Sequence, residues 1–259
     1  MMAISKRWLL AILAMPMAVM LMLPGVVWGG LWMGVQGGPR YIPDTDMVQR
    51  TSWNFEKTYE NIKFDINVIG GLTVGYDFIN QGFLGRDWPF WMKYFGVVLD
   101  ATYENLSFDQ QMVMVREQRN LYHLDTGPKD YPSFIPGGSS SMFVLSPMII
   151  VRYGFLPNEE NPFGRLQPYL GVGPGFVISN PEINGWTTEE KNKFDMALVV
   201  ETGLRYMIFK NVSVDAAFRY RTIFTKFGNS YDAPGVAGKI DLDWNPHLFN
   251  AIIRLSYHF

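Results

Sequence analysis

Cysteine is absent from this chain of 259 residues, and histidine occurs only three times. Disulfide bonds and thiolate metal sites are therefore excluded. Charge is also sparse: 18% of the residues are charged, and the 22 basic residues, balanced by 24 acidic ones, form no cluster. A nucleic-acid partner is not expected, because such partners are bound by concentrated positive charge. We likewise expect no metal ion and no cofactor.

Long apolar runs are missing from most of the chain, and a membrane-spanning helix needs about 18 apolar residues. The exception is the N-terminus, where Lys6–Arg7 precede the uncharged apolar stretch Trp8–Leu23 and small residues up to Gly29. This order is typical of a secretory signal peptide. We expect residues 1–29 to be cleaved. An uncleaved membrane anchor is the alternative, because the uncharged stretch continues to Val35. Any further membrane insertion must then use β-strands.

The chain does contain regular alternation of apolar and polar residues, most clearly from His247 to the terminal Phe259. One parity holds Phe249, Ala251, Ile253, Leu255, Tyr257 and Phe259, and the other holds Asn250, Ile252, Arg254, Ser256 and His258. Successive side chains of a strand point to opposite faces. One face of this segment is therefore apolar and aromatic, which suits lipid, and the other carries an arginine and a histidine, which suits a polar lumen.

The same period of two predicts eight strands. They are Gly30–Gly38, Ile62–Phe78, Tyr94–Phe108, Met142–Phe155, Leu166–Ile178, Phe194–Phe209, Val212–Phe227 and His247–Phe259. A soluble barrel of the lipocalin type would alternate in the same way, but with its apolar side chains inside. The apolar faces here are almost free of charge, which favours lipid. We therefore predict an all-β fold, an eight-stranded antiparallel transmembrane up-and-down β-barrel over residues 30–259, preceded by the signal peptide.

The links between the predicted strands differ in length. Four are long and polar, namely residues 39–61, 109–141, 179–193 and 228–246, and two are short, namely 156–165 and 209–211. Long outer loops and short periplasmic turns are typical of outer-membrane barrels. The link over residues 79–93 is long but aromatic, and we interpret Trp88, Phe90 and Trp91 as interfacial residues at the bilayer boundary.

Nine charged residues have the parity of the predicted lumen. They are Asp100, Glu104, Arg152, Glu201, Arg205, Asp215, Arg219, Arg221 and Arg254. Buried charges persist when they are paired and hydrogen-bonded, and side chains nearly fill the lumen of an eight-stranded barrel. We expect these residues to form a lumenal ionic network that plugs the barrel, with a gated polar path for small solutes as the alternative.

The register of one hairpin can also be predicted. A three-residue turn at Phe209–Asn211, with its asparagine in the left-handed conformation, would join the sixth and seventh strands. It would place Arg205 opposite Asp215 and Glu201 opposite Arg219, so that both inward pairs carry opposite charges.

Several segments resemble a known family. Gly71–Phe78 read GLTVGYDF, residues 87–104 read DWPFWMKYFGVVLDATYE, Pro168–Phe176 read PYLGVGPGF, and Asn211–Arg221 read NVSVDAAFRYR. These stretches resemble the outer-membrane β-barrel domain family related to OmpA and OmpX, over roughly residues 31–259. The resemblance implies a barrel-only relative without a periplasmic domain. It also implies that the C-terminal aromatics Tyr257 and Phe259 are an assembly signal read by the barrel-assembly machinery.

Together these observations favour a protein of the Gram-negative cell outer membrane, in contact with lipid and lipopolysaccharide, with a structural or surface-interaction role. Its loops would meet an extracellular ligand that the sequence does not identify. A porin-like channel for small solutes or hydrophobic molecules, similar to OmpW, is the alternative. A lipid A-modifying enzyme is less favoured, because it needs a serine paired with a histidine. We expect no such pair among His123, His247 and His258, and no enzymatic activity.

Overall fold

The computed structural model describes residues 30–51, 55–78, 89–121, 124–185, 187–188, 192–224, 229–232, 240–243 and 245–259. The predicted signal peptide, residues 1–29, lies outside the described residues, as do Trp88 and His123. Within the described part of the chain, no helix is long and apolar enough to cross a membrane.

The described residues form fifteen strands and one short 3-10 helix, Phe90–Tyr94. The strands are β1 Leu31–Tyr41, β2 Thr45–Thr51, β3 Phe55–Ile62, β4 Asn67–Asp77, β5 Phe95–Phe108, β6 Gln111–Leu121, β7 Leu124–Ile135, β8 Gly138–Arg152, β9 Leu166–Ile183, β10 Thr187–Thr188, β11 Lys193–Phe209, β12 Val212–Ile223, β13 Asn229–Asp232, β14 Ile240–Asp243 and β15 His247–His258.

Eight of these strands close into an antiparallel barrel in the order β1-β15-β12-β11-β9-β8-β5-β4. Strand β1 closes the barrel because it pairs with β15 on one side and with β4 on the other. The eight strands correspond one to one with the eight predicted from the sequence, so the predicted fold class is confirmed. The two termini of the barrel lie at the same end, where Trp32 pairs with His258.

The two faces of the wall divide as predicted. Apolar side chains of the outward parity are exposed, including Val35, Leu99, Ile149, Leu170 and Ile253. Polar and charged side chains of the inward parity are buried, including all nine predicted lumenal charges. An apolar outer wall around a charged interior matches a lipid environment and is the reverse of a soluble barrel.

The four long links were predicted to be loops, and this is wrong for much of their length. They supply the strands of a second sheet, ordered β10-β13-β14-β2-β3-β6-β7, which we call the distal sheet because it lies at the barrel end opposite the termini. Its strands continue barrel strands in the same circular order, as β2 continues β1 and β6 continues β5. The wall therefore extends beyond the predicted barrel, and burial alternates along the links as it does in the barrel, with Val113 and Val115 buried between exposed Met112 and Met114.

A buried apolar cluster, which we call the distal core, lies on the inner face of the distal sheet and in the adjoining part of the barrel interior. It comprises Ile42, Met47, Tyr59, Ile62, Leu106, Phe108, Val113, Val115, Ile135, Met142, Val144, Val177, Ile183, Ala197, Ile223 and Leu248.

The second predicted strand starts too early, at Ile62, whereas β4 begins at Asn67. Phe64 was therefore predicted to face lipid, whereas it packs on the distal core with its ring 5.5 Å from that of Phe108.

The predicted three-residue turn between β11 and β12 is wrong. A two-residue turn, Lys210–Asn211, joins the strands, and Phe209 pairs with Val212. Among the described non-glycine residues, positive φ occurs at Asn61, Leu156 and Asn192, so Asn211 is not left-handed. Its side chain instead donates a hydrogen bond of 2.6 Å to the backbone carbonyl of His258. The asparagine thus ties the turn to the last strand.

The prediction that Ile208 lies opposite Val212 is therefore wrong as well, but the charge pairs predicted for this hairpin are confirmed. Arg205 lies opposite Asp215, and Glu201 lies opposite Arg219. The ladder shifts register between Met207 and Phe209, and such a bulge takes up one extra residue on one strand. The bulge therefore compensates for the shorter turn and keeps every charge of the hairpin on the inward face.

Candidate functional site in the barrel lumen

The lumenal charges lie in three layers along the barrel axis. The lower tier, nearest the termini, consists of Asp77, Arg152, Arg205 and Asp215. Arg205 donates from Nε to Asp215 Oδ1 at 3.2 Å and from Nη1 to Asp77 Oδ2 at 3.3 Å. Arg152 Nη1 lies 3.0 Å from the same Asp77 oxygen. The guanidinium of Arg205 also stands 4.3 Å from the ring centroid of Trp32, in cation–π contact.

The middle tier consists of Gln36, Asp100, Glu201, Arg219 and Arg254. Arg219 bridges two carboxylates, because its Nη1 and Nη2 lie 2.8 and 3.0 Å from the two oxygens of Asp100 and its Nε lies 2.7 Å from Glu201 Oε2. Arg254 donates to Glu201 Oε1 at 2.9 Å and to Gln36 Oε1 at 2.8 Å. All five side chains are buried. The layer is thus a charge-balanced and extensively hydrogen-bonded network.

Two further contacts connect this layer to its surroundings. Arg254 Nη1 lies 3.2 Å from Asp215 Oδ2, which joins the middle tier to the lower one. Tyr169 donates its hydroxyl to Glu201 Oε1 at 2.9 Å from the neighbouring strand β9. Because a half-satisfied buried network is less stable than an apolar core, these additional bonds contribute to keeping the charges in place.

The upper tier consists of Arg40, Glu104 and Arg221. The two arginines share one carboxylate: Arg40 Nη1 lies 3.0 Å from Glu104 Oε2, and Arg221 Nη1 contacts Oε1. Arg221 Nη2 reaches Thr102 Oγ1 at 3.4 Å. The apolar distal core begins directly beyond this layer, where Glu104 is followed along β5 by buried Leu106.

All nine predicted charges lie on the lumenal face and contact at least one other member of the three tiers. The prediction missed Arg40, Gln36, Asp77 and Tyr169. Arg40 lies beyond the predicted end of the first strand, which in fact continues to Tyr41. Gln36, Asp77 and Tyr169 all have the inward parity of their strands, so parity applied to every polar residue could have found them.

A serine–histidine pair is present, contrary to the prediction that none would form. Ser213 Oγ lies 2.9 Å from His258 Nε2, and the same hydroxyl lies 3.5 Å from Asp215 Oδ1. Ser213 is fully buried inside the lumen. The acyl chains of lipid A lie outside the barrel wall, so this pair faces the wrong side for attack on them. In the part of the chain that is described, no three histidine or acidic side chains are grouped to hold a metal ion.

Aromatic side chains surround the outer wall near both ends. Phe90 and Trp91 are 68% and 58% exposed at the end that holds the termini, whereas Trp88 lies outside the described residues. At the distal end the Tyr220 hydroxyl lies 2.7 Å from His247 Nδ1, and the two rings stack. Two aromatic belts separated by an apolar wall match the two interfaces of a bilayer.

The closed eight-stranded barrel, its apolar wall, its aromatic belts and its charged lumen define a class of protein. The chain is a transmembrane β-barrel of the Gram-negative outer-membrane type, in agreement with the fold class and localisation predicted from the sequence. The C-terminal Tyr257 and Phe259 lie on the outer wall with their rings 5.2 Å apart.

A solved structure shares this fold. The outer membrane protein OprG from Pseudomonas aeruginosa superposes with a TM-score of 0.52 at 17% identity, over 89% of this chain and 97% of that one. Neisserial surface protein A gives a TM-score of 0.44 at 13% identity, over 91% and 99% of the two chains. No protein-family model matches the sequence, and a search of curated proteins gives no significant match. The likeness therefore extends to the fold and not to a particular activity.

Proposed function

We propose that this protein is a surface-interaction protein of the outer membrane, in which a plugged barrel acts as the anchor and the distal sheet acts as the contact surface. The single observation that supports the proposal is that side chains fill the lumen. Three stacked tiers of paired charges occupy it, and the apolar distal core closes the end above them. An interior filled in this way favours an anchor over a solute path.

The outer face of the distal sheet has the chemistry of a contact surface. On the β6–β7 hairpin, Met112, Met114 and Phe134 are 60%, 47% and 60% exposed. Arg116 and Asp130 form an exposed ion pair beside them. Methionine, aromatic and arginine side chains are enriched at protein interfaces. The hairpin thus supports an extracellular ligand as partner, alongside the lipid and lipopolysaccharide that surround the barrel.

The barrel-assembly machinery is a further partner in this proposal, and an enzymatic activity is not part of it. The position of Ser213 and His258 inside the wall supports leaving enzymatic activity out of the proposal. Cleavage of the N-terminal segment, residues 1–29, as a signal peptide belongs to the proposal as well, since export must precede assembly in the outer membrane.

A hydrophobic-molecule channel is the second candidate, and one observation favours it. The interior beyond the upper tier is apolar, and the distal sheet has two ends, β7 and β10, that do not pair with each other. An apolar solute entering between these strands would meet side chains such as Ile135 and Ile183, which belong to the distal core.

Ion conductance across a planar lipid bilayer tests the proposal. A plugged barrel should show no steady conductance. Steady conductance of the unmodified protein would contradict the plug. Accelerated entry of an uncharged apolar dye into vesicles that contain the protein, without ion conductance, would favour the second candidate instead.

A further inference from the structure

The upper tier differs from the other two in its charge. Arg40 and Arg221 are both fully buried, and Glu104 is the one carboxylate that pairs with them among the described residues. Arginine keeps its charge in proteins because its pKa lies too high for deprotonation. The tier therefore holds one positive charge in excess, in a place closed to solvent. The middle tier, in contrast, gives Arg219 two carboxylate partners.

Hydrogen-bond donors of the same layer are left without partners. Within the described part of the chain, Nε and Nη2 of Arg40 and Nε of Arg221 donate to no acceptor, and both polar atoms of the Asn250 side chain are unpaired. Asn250 is fully buried and lies directly opposite Arg40 in the β1–β15 ladder. Leu248, the inward residue before it on β15, lies opposite Arg221. Unpaired charged donors are rare in protein interiors because burial without a partner is costly.

Among the described residues, no carboxylate other than Glu104 pairs with either arginine of this layer. Towards the distal end lie the apolar side chains Ile42, Leu106 and Leu248, which belong to the distal core. Towards the termini lies Arg219, whose carboxylate partners are already engaged. Water could accept hydrogen bonds from the unpaired donors, but it would leave the excess charge uncompensated.

We propose that Arg40, Arg221 and Asn250 form a buried site for one small monovalent anion. A halide and a small carboxylate share the required chemistry, namely a single negative charge that accepts several N–H bonds. Sulfate and other divalent anions are disfavoured, because they would reverse the sign of the local charge. The inference does not depend on the proposed function, since an anion at this site would complete the network of either a plug or a channel.

An anion that binds at a buried site loses its hydration shell. The stability of the protein should therefore depend on which anion is present as well as on ionic strength. The protein purified from outer membranes in detergent is unfolded by heat in sodium bromide, sodium formate or sodium sulfate at equal ionic strength. We expect bromide or formate to raise the unfolding temperature by about 3–6 °C at concentrations at least ten times the dissociation constant. A response to bromide alone identifies a halide site, and a response to formate alone identifies a carboxylate site.

Salts also act on proteins generally, so the comparison requires a variant in which the site supplies its own charge. Asn250→Asp places a carboxylate beside the two arginines, and it should raise the unfolding temperature in the absence of both anions and abolish the responses to them. The matched control is Asn105→Asp, which adds the same charge on the exposed outer face of β5 and should respond as the unmodified protein does.

Crystals grown in bromide provide a direct readout that needs no variant. A bromide site should produce an anomalous peak in contact with Arg40 and Arg221, and the peak should be absent from Asn250→Asp crystals. Equal responses to all three salts, together with the lack of a peak, would overturn the proposal. So would an Asn250→Asp protein that folds but keeps the anion response. If that variant fails to fold, Arg40→Met, which removes the excess charge, takes its place and should likewise lose the response.

Discussion

Arg205 is the residue through which the lower tier is held together. It bridges Asp77 on β4 and Asp215 on β12 across the lumen, and it lies over the ring of Trp32. Both carboxylates have a second arginine, since Asp77 also pairs with Arg152 and Asp215 with Arg254. The layer therefore depends on one side chain for its cohesion while retaining partial compensation at each acid.

Replacing Arg205 alone should destabilise the barrel more than replacing Arg205 and Asp215 together. Arg205→Met leaves a buried carboxylate short of one partner, and breaking a buried ion pair costs about 3–5 kcal/mol. Adding Asp215→Asn removes the uncompensated charge, so part of the free energy of unfolding should return. Urea unfolding in detergent measures Arg205→Met, Asp215→Asn and the double variant. Simple additivity of the two single replacements would show that the charges are not coupled.

Tyr59, in the distal sheet, has a buried hydroxyl that donates to Gln49 Oε1 at 2.6 Å. Burial raises the pKa of Tyr59 to about 12, compared with about 10 in an unfolded chain. Between pH 10 and pH 12, the Tyr59 hydroxyl therefore keeps its proton in the folded state and has lost it in the unfolded state. Stability from this group is fully present below pH 10 and is lost as the pH rises from 10 to 12.

The effect of Tyr59→Phe on the free energy of unfolding should therefore change sign with pH. At pH 8 the variant loses one hydrogen bond, which costs about 1 kcal/mol. At pH 11 the unmodified protein has lost about 1.4 kcal/mol, which is one pH unit of linkage, and the variant has no such loss. The difference in unfolding temperature between the unmodified protein and the variant should disappear or change sign between pH 8 and pH 11. A constant difference would show that Tyr59 is free to ionise in the folded state.

Among the elements, β7 is the longer of the two strands that end the distal sheet, and its free edge needs protection. It pairs with β6 on one side and forms an end of the distal sheet on the other. Pro128 and Pro132 both lie on this strand. Proline has no N–H to donate and is tolerated mainly on edge strands, where it discourages pairing with another chain. The same residue type that weakens a central strand thus protects this one.

Replacing Pro128 and Pro132 with threonine should expose the edge and allow two copies to pair along β7. We expect a concentration-dependent dimer in detergent, detected by light scattering, whereas the unmodified protein keeps its original mass. Ser133→Thr, which places threonine on the same strand and leaves both prolines intact, is the control. A monomeric proline variant would show that the edge is covered in another way.

At the scale of the whole molecule, closure of the barrel ties the last strand to the first. The backbone N–H of Phe259 donates to the carbonyl of Leu31 at 3.0 Å, and its ring is 43% exposed on the outer wall. The ring makes little contact with the interior. Its position suits recognition by the assembly machinery better than a role in the stability of the finished fold.

Deleting Phe259 should lower the yield of protein in the outer membrane of cells while leaving refolding in detergent nearly normal. Phe209→Ala, which removes an even more exposed aromatic ring from the same end of the barrel, is the matched control and should not lower the yield. Equal yields for the deletion and the unmodified protein would refute the assembly signal.

Cell fractionation should find the chain in the outer membrane with its N-terminus near Gly30, and the protein should migrate differently on gels before and after heating. Closed barrels resist unfolding in detergent because no strand edge is free to open. Recovery of the intact chain from the cytoplasmic membrane, with Trp8 still present, would contradict export and cleavage.

Local alternation determined the barrel. Each strand must present one face to lipid and one to the lumen, so parity alone identified eight strands, their outward residues and nine inward charges. It also gave the correct pairing of Arg205 with Asp215, although the turn that supported that pairing was wrong and the bulge after Met207 compensated for it.

Only the tertiary structure decided what lies beyond the barrel rim and which charges meet. The distal sheet was missed in part because some of its strands are short and are ordered by neighbours distant in sequence, such as the four-residue β14 beside β2. The excess charge of the upper tier was missed for the same reason. Arg40, Arg221 and Glu104 come from three strands widely separated in sequence, and their imbalance exists only once the closed wall brings them together in a space that excludes water.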